Sequence, residues 1–300
     1  MSLNVSLSGI EWKNPVTTAS GTFGTAKEMS GLYDISRLGA ITVKGVAPMA
    51  WSGNPPPRIG ETYGGMLNAV GLQNGGIDSF VNDELPDLLA VGTNIIVNVC
   101  GRTMEDYVAV IERLSTEKVD MLELNISCPN VSKGGIAFGT NSELTFELVK
   151  MCKQAARQPL YVKLSPNVTD IAEIATAAEA AGADGITLIN TLLGMSIDIK
   201  RKKPLLGNVF GGLSGPAIMP VALRSVYQVY KKVSIPIIGM GGISSAEDAV
   251  MFLMAGASAV AVGTANLIKP GIVLDIIDGI EDYVKENGLK SITDIVGIAH

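Results

Sequence analysis

A cysteine, two lysines and a set of asparagines stand where short apolar runs of this chain end. Cys128 follows "LELNIS" (122–127) and precedes the glycine-bearing "VSKGG" (131–135). Three roles stay open for it there: a small core filler, half of a redox or metal pair, or a catalytic group. The one histidine is His300, the last residue, and a chain end is usually too mobile to hold catalytic geometry. Acid–base chemistry near neutral pH would therefore fall to Cys, Lys, Tyr, Asp or Glu. Cys100, Cys128 and Cys152 lie far apart without a CxxC, which suggests neither a disulfide framework nor a local zinc or iron–sulfur motif. Lys44 and Lys163 sit in otherwise apolar runs, "AITVK" and "LYVKLS", where a lysine must find an anion or an acceptor.

The elements that would position these residues follow from hydrophobic period. Strands are expected at 16–20, 40–44, 94–99, 121–127, 160–165, 185–190, 236–242 and 259–264. Helical spacing falls between them, near 28–36, 77–90, 104–117, 142–157, 170–181, 217–231, 245–255 and 273–286, with start signals at Asn141, Thr169-Asp170 and Ser244-Ser245. The strands read as near-continuous apolar runs, as both-face burial in a parallel sheet requires. Eight βα units predict an α/β fold, a (β/α)8 TIM barrel, with a doubly wound open sheet as the alternative. The opening "LNVSLSGIEWKNP" predicts an N-terminal β-hairpin closing the barrel floor. Long loops are expected after strands 2 and 6, at 45–76 and 191–216. No linker or internal repeat divides residues 1–300, so one domain is expected.

Barrels of this kind carry their active sites at the carboxyl ends of the strands. There the sequence places Ser20, Lys44, Asn98, Asn125 with Ser127, Lys163 with Ser165, and Asn190 with Thr191. The last two strands end in Gly241-Gly242 and Gly263-Thr264, and Gly215 opens the sixth helix; such glycines allow backbone N–H groups to approach a phosphate. Solvated loop starts and turn-forming glycines are the plainer reading of any one of these positions. Taken together they suggest a phosphorylated ligand with a large polar head, and asparagine's paired donor and acceptor suit the edges of a pyrimidine or an isoalloxazine.

The 300 residues carry 47% apolar and 17% charged side chains and a net charge of −6. The densest basic run is Lys200-Arg201-Lys202-Lys203, read as a solvated loop face with docking of an acidic partner as the lesser alternative, and neither a nucleic-acid nor an anionic-membrane partner is expected. The N-terminus lacks a basic region followed by an apolar one, and a cytoplasmic location is expected. Cys100 and Cys152 read as packing residues, and Trp12 and Trp51 as packing or rim residues.

Through "ASGTFG" (19–24), "TVKGV" (42–46), "GNPPPRI" (53–59), "GMLNAVGLQN" (65–74), "NISCPNV" (125–131), "KLSPN" (163–167), "GGLSGPA" (211–217) and "GMGGI" (239–243), the chain resembles the class 1 dihydroorotate dehydrogenases over essentially its whole length. The resemblance implies one FMN per chain and oxidation of (S)-dihydroorotate to orotate in pyrimidine biosynthesis. It implies FMN contacts from Ser20, Lys44, Gly45, Asn98, Asn125, Lys163, Ile189, Gly215, Gly241, Gly242, Gly263 and Thr264. Substrate contacts are implied for Lys44, Asn68, Ala69, Val70, Gly71, Leu72, Asn125, Asn130, Asn190 and Thr191. Cys128 takes the place of the catalytic base, and Lys163 that of a stabiliser of charge on the reduced ring. Residues 130–141 have the glycines of a closing lid.

The stretch 53–74 is more similar to the NAD-linked class 1B branch than to the fumarate-linked class 1A. That branch implies a homodimer core with two copies of an iron–sulfur electron-transfer subunit carrying FAD and a [2Fe–2S] cluster. Proline is common in the branch where this chain has Tyr63-Gly64 and Gly75-Gly76. Rival readings are a related pyrimidine-reducing flavin barrel, a flavin-free phosphate-binding lyase or isomerase, and a binding subunit that has lost catalysis.

Overall fold

The structure is a computed structural model that describes residues 1–24, 26–127 and 138–300. A hairpin of β1 (Val5–Leu7) and β2 (Ile10–Trp12) leads into β3 (Val16–Thr18) and β4 (Ala40–Thr42). Then follow β5 (Ile59–Thr62), β6 (Gly65–Asn68), β7 (Asn94–Val99), β8 (Met121–Asn125), β9 (Leu160–Lys163) and β10 (Gly185–Leu188). The remaining strands are β11 (Leu192–Met195), β12 (Ile197–Asp198), β13 (Lys203–Pro204), β14 (Phe210–Ser214), β15 (Ile237–Met240) and β16 (Ala259–Val262).

The eight expected strands form one sheet in the order β3-β16-β15-β10-β9-β8-β7-β4, every neighbouring pair parallel. This is the (β/α)8 barrel. Its two end strands, β3 and β4, meet through threonines instead of a ladder. Thr18 Oγ1 accepts from Thr42 N at 3.1 Å and donates to Thr42 O at 3.4 Å, while the hydroxyls of Thr17 and Thr42 lie 3.2 Å apart. Gly39 N adds a bond to Val16 O at 3.0 Å.

Helices occupy the outer layer, and the expected start signals act as caps. Asn141 Oδ1 accepts from Leu144 N and Asp170 Oδ1 from Ala172 N, while Ser245 and Asp248 form a reciprocal capping box. One helix expectation is corrected, and another is met with an irregularity. The helix near 28–36 is instead a short turn at Ala26–Ser30 and a tighter one at Ile35–Arg37, started by Asp34, whose carboxylate accepts from Ser36 N. The helix over 77–90 passes through a wider turn at Phe80–Glu84 before Leu85–Val91, because Pro86 has no N–H to continue the regular ladder.

The two long connections are not loops throughout. Residues from both build a second, antiparallel sheet in the order β11-β14-β6-β5, with Gly212 opposite Asn68 and Leu213 opposite Leu67. Glycine is required where β14 passes over the barrel mouth: a Cβ at Gly212 would stand 2.0 Å from Thr191 Oγ1. At the opposite end, Ser8 Oγ donates to Asp184 O at 2.8 Å and lies 3.0 Å from Tyr161 OH, so the N-terminal hairpin covers the amino ends of the strands as expected. Trp12, Trp51, Cys100 and Cys152 are buried, and Lys200–Lys203 is exposed. Among the described residues no helix is long and apolar enough to cross a membrane.

Candidate active site

At the carboxyl ends of the barrel strands, under the antiparallel sheet, lies a cleft partly open to solvent. Seventeen of the expected positions line it: Ser20, Lys44, Gly45, Asn68, Val70, Gly71, Leu72, Asn125, Lys163, Ile189, Asn190, Thr191, Gly215, Gly241, Gly242, Gly263 and Thr264. Asn98 and Ala69 do not. Asn98 is buried one layer behind Asn125, and Ala69 packs with Leu67 and Leu206 beneath the antiparallel sheet. Cys128 and Asn130 lie outside the described residues, as does most of the expected lid at 130–141.

The cleft floor rests on a buried polar cluster. Glu123 Oε1 accepts from Asn98 Nδ2 at 2.6 Å and lies 3.5 Å from Lys163 Nζ, with the Glu123 and Lys163 side chains 3% and 5% exposed. Asn98 Oδ1 accepts from Asn125 Nδ2 at 3.2 Å and from Cys100 Sγ at 3.4 Å. Tyr107 OH, from the helix Met104–Leu114 behind the wall, donates to Asn125 O at 2.8 Å. Asn125 Oδ1 accepts from Ser127 Oγ at 3.2 Å, and Asn190 Nδ2 donates to Ser127 Oγ at 2.7 Å. The anion that Lys163 needs is therefore a neighbouring strand's carboxylate.

One end of the cleft is bare backbone. Gly241 and Gly242 follow β15 with φ of +128° and +84°, and Gly215 has φ +102°, conformations that L side chains rarely adopt. A Cβ at Gly242 would also stand 2.7 Å from Met219 Cβ and 2.9 Å from Gly215 O. Thr264 Oγ1 donates to Ser214 Oγ at 2.7 Å beside them. Apolar Ala19, Ile189, Ile218 and Met240 share the cleft with Lys44, Lys163 and Asn125. Exposed backbone and hydroxyls at one end, apolar walls between and a lysine at the floor fit a phosphorylated aromatic cofactor of the flavin kind.

A family profile described as dihydroorotate dehydrogenase matches residues 2–284. The chain belongs to the dihydroorotate dehydrogenase family. A relative from Alkaliphilus metalliredigens, named dihydroorotate dehydrogenase B (NAD(+)), catalytic subunit, is 58% identical over 297 residues, covering 99% of this chain and 98% of the relative. A second, from Alkaliphilus oremlandii and of the same name, is 58% identical over 295 residues, 98% of each. Among solved structures, a dihydroorotate dehydrogenase from Eimeria tenella in complex with ferulenol superposes with a TM-score of 0.84 at 23% identity, covering 99% of this chain and 88% of the other. That likeness bears on the fold.

Sequence reasoning passed over two residues of this dihydroorotate dehydrogenase cleft's support, Tyr107 and, nearer the floor, Glu123. For Glu123 the signal was present: Glu123, Asn125 and Ser127 alternate along "LELNIS", so they share one face of β8 and its continuation, and Asn125 was already placed toward the mouth. Gly21, Thr22, Met66 and Ser214 also line the cleft without having been singled out, as does Ser244, expected only as part of a helix start.

Proposed function

We propose that this chain oxidises (S)-dihydroorotate to orotate as the catalytic subunit of an NAD-linked dihydroorotate dehydrogenase in pyrimidine biosynthesis. The observation that carries the reading is 58% identity, over 99% of the chain, to a protein of that name. The cleft described above supports it.

FMN, bound one per chain, would supply the hydride acceptor. Gly215, Gly241, Gly242, Gly263 and Thr264 would hold its phosphate through backbone N–H groups and a hydroxyl, and Ser20, Lys44, Gly45 and Ile189 would flank the ring. Lys163 brings positive charge to the cleft floor, where a fixed cation stabilises negative charge without reorganising. Asn68 through Leu72, Asn125, Asn130, Asn190 and Thr191 would orient the dihydroorotate ring by its amide edges, and Asn98 acts from behind Asn125. Oxidation removes a hydride from one ring carbon and a proton from its neighbour, and Cys128 Sγ takes that proton. The antiparallel sheet that roofs the cleft helps to keep water from the transfer.

Electrons would leave through a partner subunit carrying FAD and a [2Fe–2S] cluster, two copies on a homodimer core in the cytoplasm. The three cysteines of this chain, far apart in sequence, lack the spacing of such a cluster.

The test is anaerobic addition of dihydroorotate to the purified flavin-loaded chain. Bleaching of the flavin's visible band is expected, with NAD reduced only when the iron–sulfur partner is present. A flavin that stays oxidised would refute the reading. Cys128→Ala should nearly abolish bleaching while keeping the flavin, and Cys128→Ser should leave a slow rate that rises toward alkaline pH. Full activity of the alanine variant at neutral pH would remove Cys128 from the mechanism.

A further inference from the structure

Glu123 is 2% exposed and stands behind the cleft wall instead of lining it. A carboxylate accepts hydrogen bonds and donates none, and this restriction passes from residue to residue. Asn98 must turn its Nδ2 toward Glu123 Oε1, at 2.6 Å, so its Oδ1 faces away and accepts from Asn125 Nδ2 at 3.2 Å. Asn125 Oδ1 is then the atom that accepts from Ser127 N at 3.4 Å and Ser127 Oγ at 3.2 Å. With its proton so committed, Ser127 Oγ accepts from Asn190 Nδ2 at 2.7 Å, and Asn190 Oδ1 accepts from Thr191 N at 2.7 Å. Lys163, a donor only, approaches the same carboxylate oxygen at 3.5 Å and enforces the same direction.

An amide reads the same to the packing around it in either orientation, but its two ends are opposite to a ligand. Backbone donors already fix part of this chain, Thr191 N at Asn190 Oδ1 and, at a longer 3.4 Å, Ser127 N at Asn125 Oδ1; Asn98 bonds Asn125, Cys100 and Glu123, of which the carboxylate alone is restricted to one role. We propose that Glu123 is a positioning residue whose carboxylate sets the orientation of Asn98 and through it holds that of Asn125, and so selects ligands whose ring amide edges match it. The inference rests on the functional reading above and deepens it: the ligand class is a pyrimidine-dione ring, and its recognition is governed by a residue that does not touch it.

The experiment uses the full chain loaded with FMN. Orotate is titrated into the wild type, Glu123→Gln and Glu123→Met, with Kd read from the change in the flavin's visible spectrum and Tm measured in parallel. Glutamine removes the charge and adds an NH2 donor, but Lys163, a donor only, faces the same side-chain oxygen as Asn98 and holds that oxygen toward both; methionine fills similar volume and offers no acceptor. The expected pattern is a Kd within about threefold of wild type for glutamine and about thirtyfold weaker for methionine, with flavin retained in both. Equal losses in the two variants would mean that charge alone matters, and equal wild-type Kd values beside a lowered Tm would mean that Glu123 only packs; either result overturns the proposal. Should Glu123→Met fail to fold, Asn98→Leu breaks the chain at its next link with the Glu123–Lys163 pair intact, and it must show the same loss; an unchanged Kd overturns the proposal. A wild type that does not bind orotate refutes the functional reading and this inference with it, whereas wild-type binding with unchanged variants refutes this inference alone.

Discussion

Lys163→Met would expose the cost of the ion pair beneath the cleft. The pair is 3.5 Å apart with side chains 3% and 5% exposed, so water screens it little. A buried pair adds little net stability, because desolvation offsets attraction, but removing one partner strands the other charge and costs about 3–5 kcal/mol. Glu123 would keep its 2.6 Å bond from Asn98, which places the expected loss near the lower end, about 3 kcal/mol. For a chain of this size that lowers Tm by roughly 5 °C. Lys163 lines the cleft, so flavin binding would add its own stabilisation by mass action, and the comparison belongs to flavin-free protein. Differential scanning calorimetry or urea unfolding provides the assay, with Glu123→Gln/Lys163→Met as the partner experiment. Glutamine still accepts from Asn98 and carries no charge, so the double variant should recover at least half of the loss. A Lys163→Met protein melting within about 2 °C of wild type, or a double variant no more stable than the single, would refute the electrostatic argument.

Thr18→Val removes the hydroxyl that bonds both Thr42 N and Thr42 O where the barrel closes, and should cost about 1–3 kcal/mol, with faster hydrogen exchange at the Thr42 amide as the local readout. Gly242→Ala places a Cβ 2.7 Å from Met219 Cβ at φ +84° and should weaken flavin retention more than it changes far-UV circular dichroism; a variant that purifies fully flavin-loaded would argue against the backbone cradle. Burial pushes the Cys152 thiol up to about 12 from 9.0 and the Tyr33 hydroxyl up to about 12 from 10.0, and raises Tyr161 as well. The unfolded chain releases these protons first, so stability is present at neutral pH and falls as pH rises from 9.0 toward about 12, Cys152 contributing about 1.4 kcal/mol per pH unit. Cys152→Ala should flatten that decline in a series of urea midpoints, and an unchanged slope would refute the assignment.

The barrel was legible because its eight strands are buried on both faces, so each reads as an unbroken apolar run. Their ends were less so. Seven of the eight expected runs extend beyond the laddered residues: Ser20 lies past Thr18, Lys44 past Thr42 and Asn190 past Leu188. Ser20, Lys44 and Asn190 sit in the segment just past the ladder, where the backbone turns toward the cleft and residue type no longer reports strand geometry. The antiparallel roof was hidden for a different reason. Gly65, Gly211 and Gly212 interrupt the alternation of β6 and β14, and they are needed for close approach, as at Gly212 over Thr191. The residues required to seat the roof on the mouth are the ones that erase its strand signature.

In the site, spacing along a strand tells which face a residue occupies and nothing about what lies across the barrel. Lys163 was readable as a lysine in need of an anion, but that anion is on the neighbouring strand, 40 residues earlier in the chain. Its identity as Glu123 emerges only from the register that sets Asn125 beside Lys163 and Glu123 beside Tyr161 on adjacent strands β8 and β9. Asn98 shows the same limit from the other side: its position at a strand end marks it for the cleft, yet Asn125 stands between them, and Asn98 acts by turning its amide toward a carboxylate. A sequence can place polar groups at the mouth of a barrel, but the direction of the hydrogen bonds joining them is a property of the closed ring, fixed where a group that can only accept meets groups that can do both.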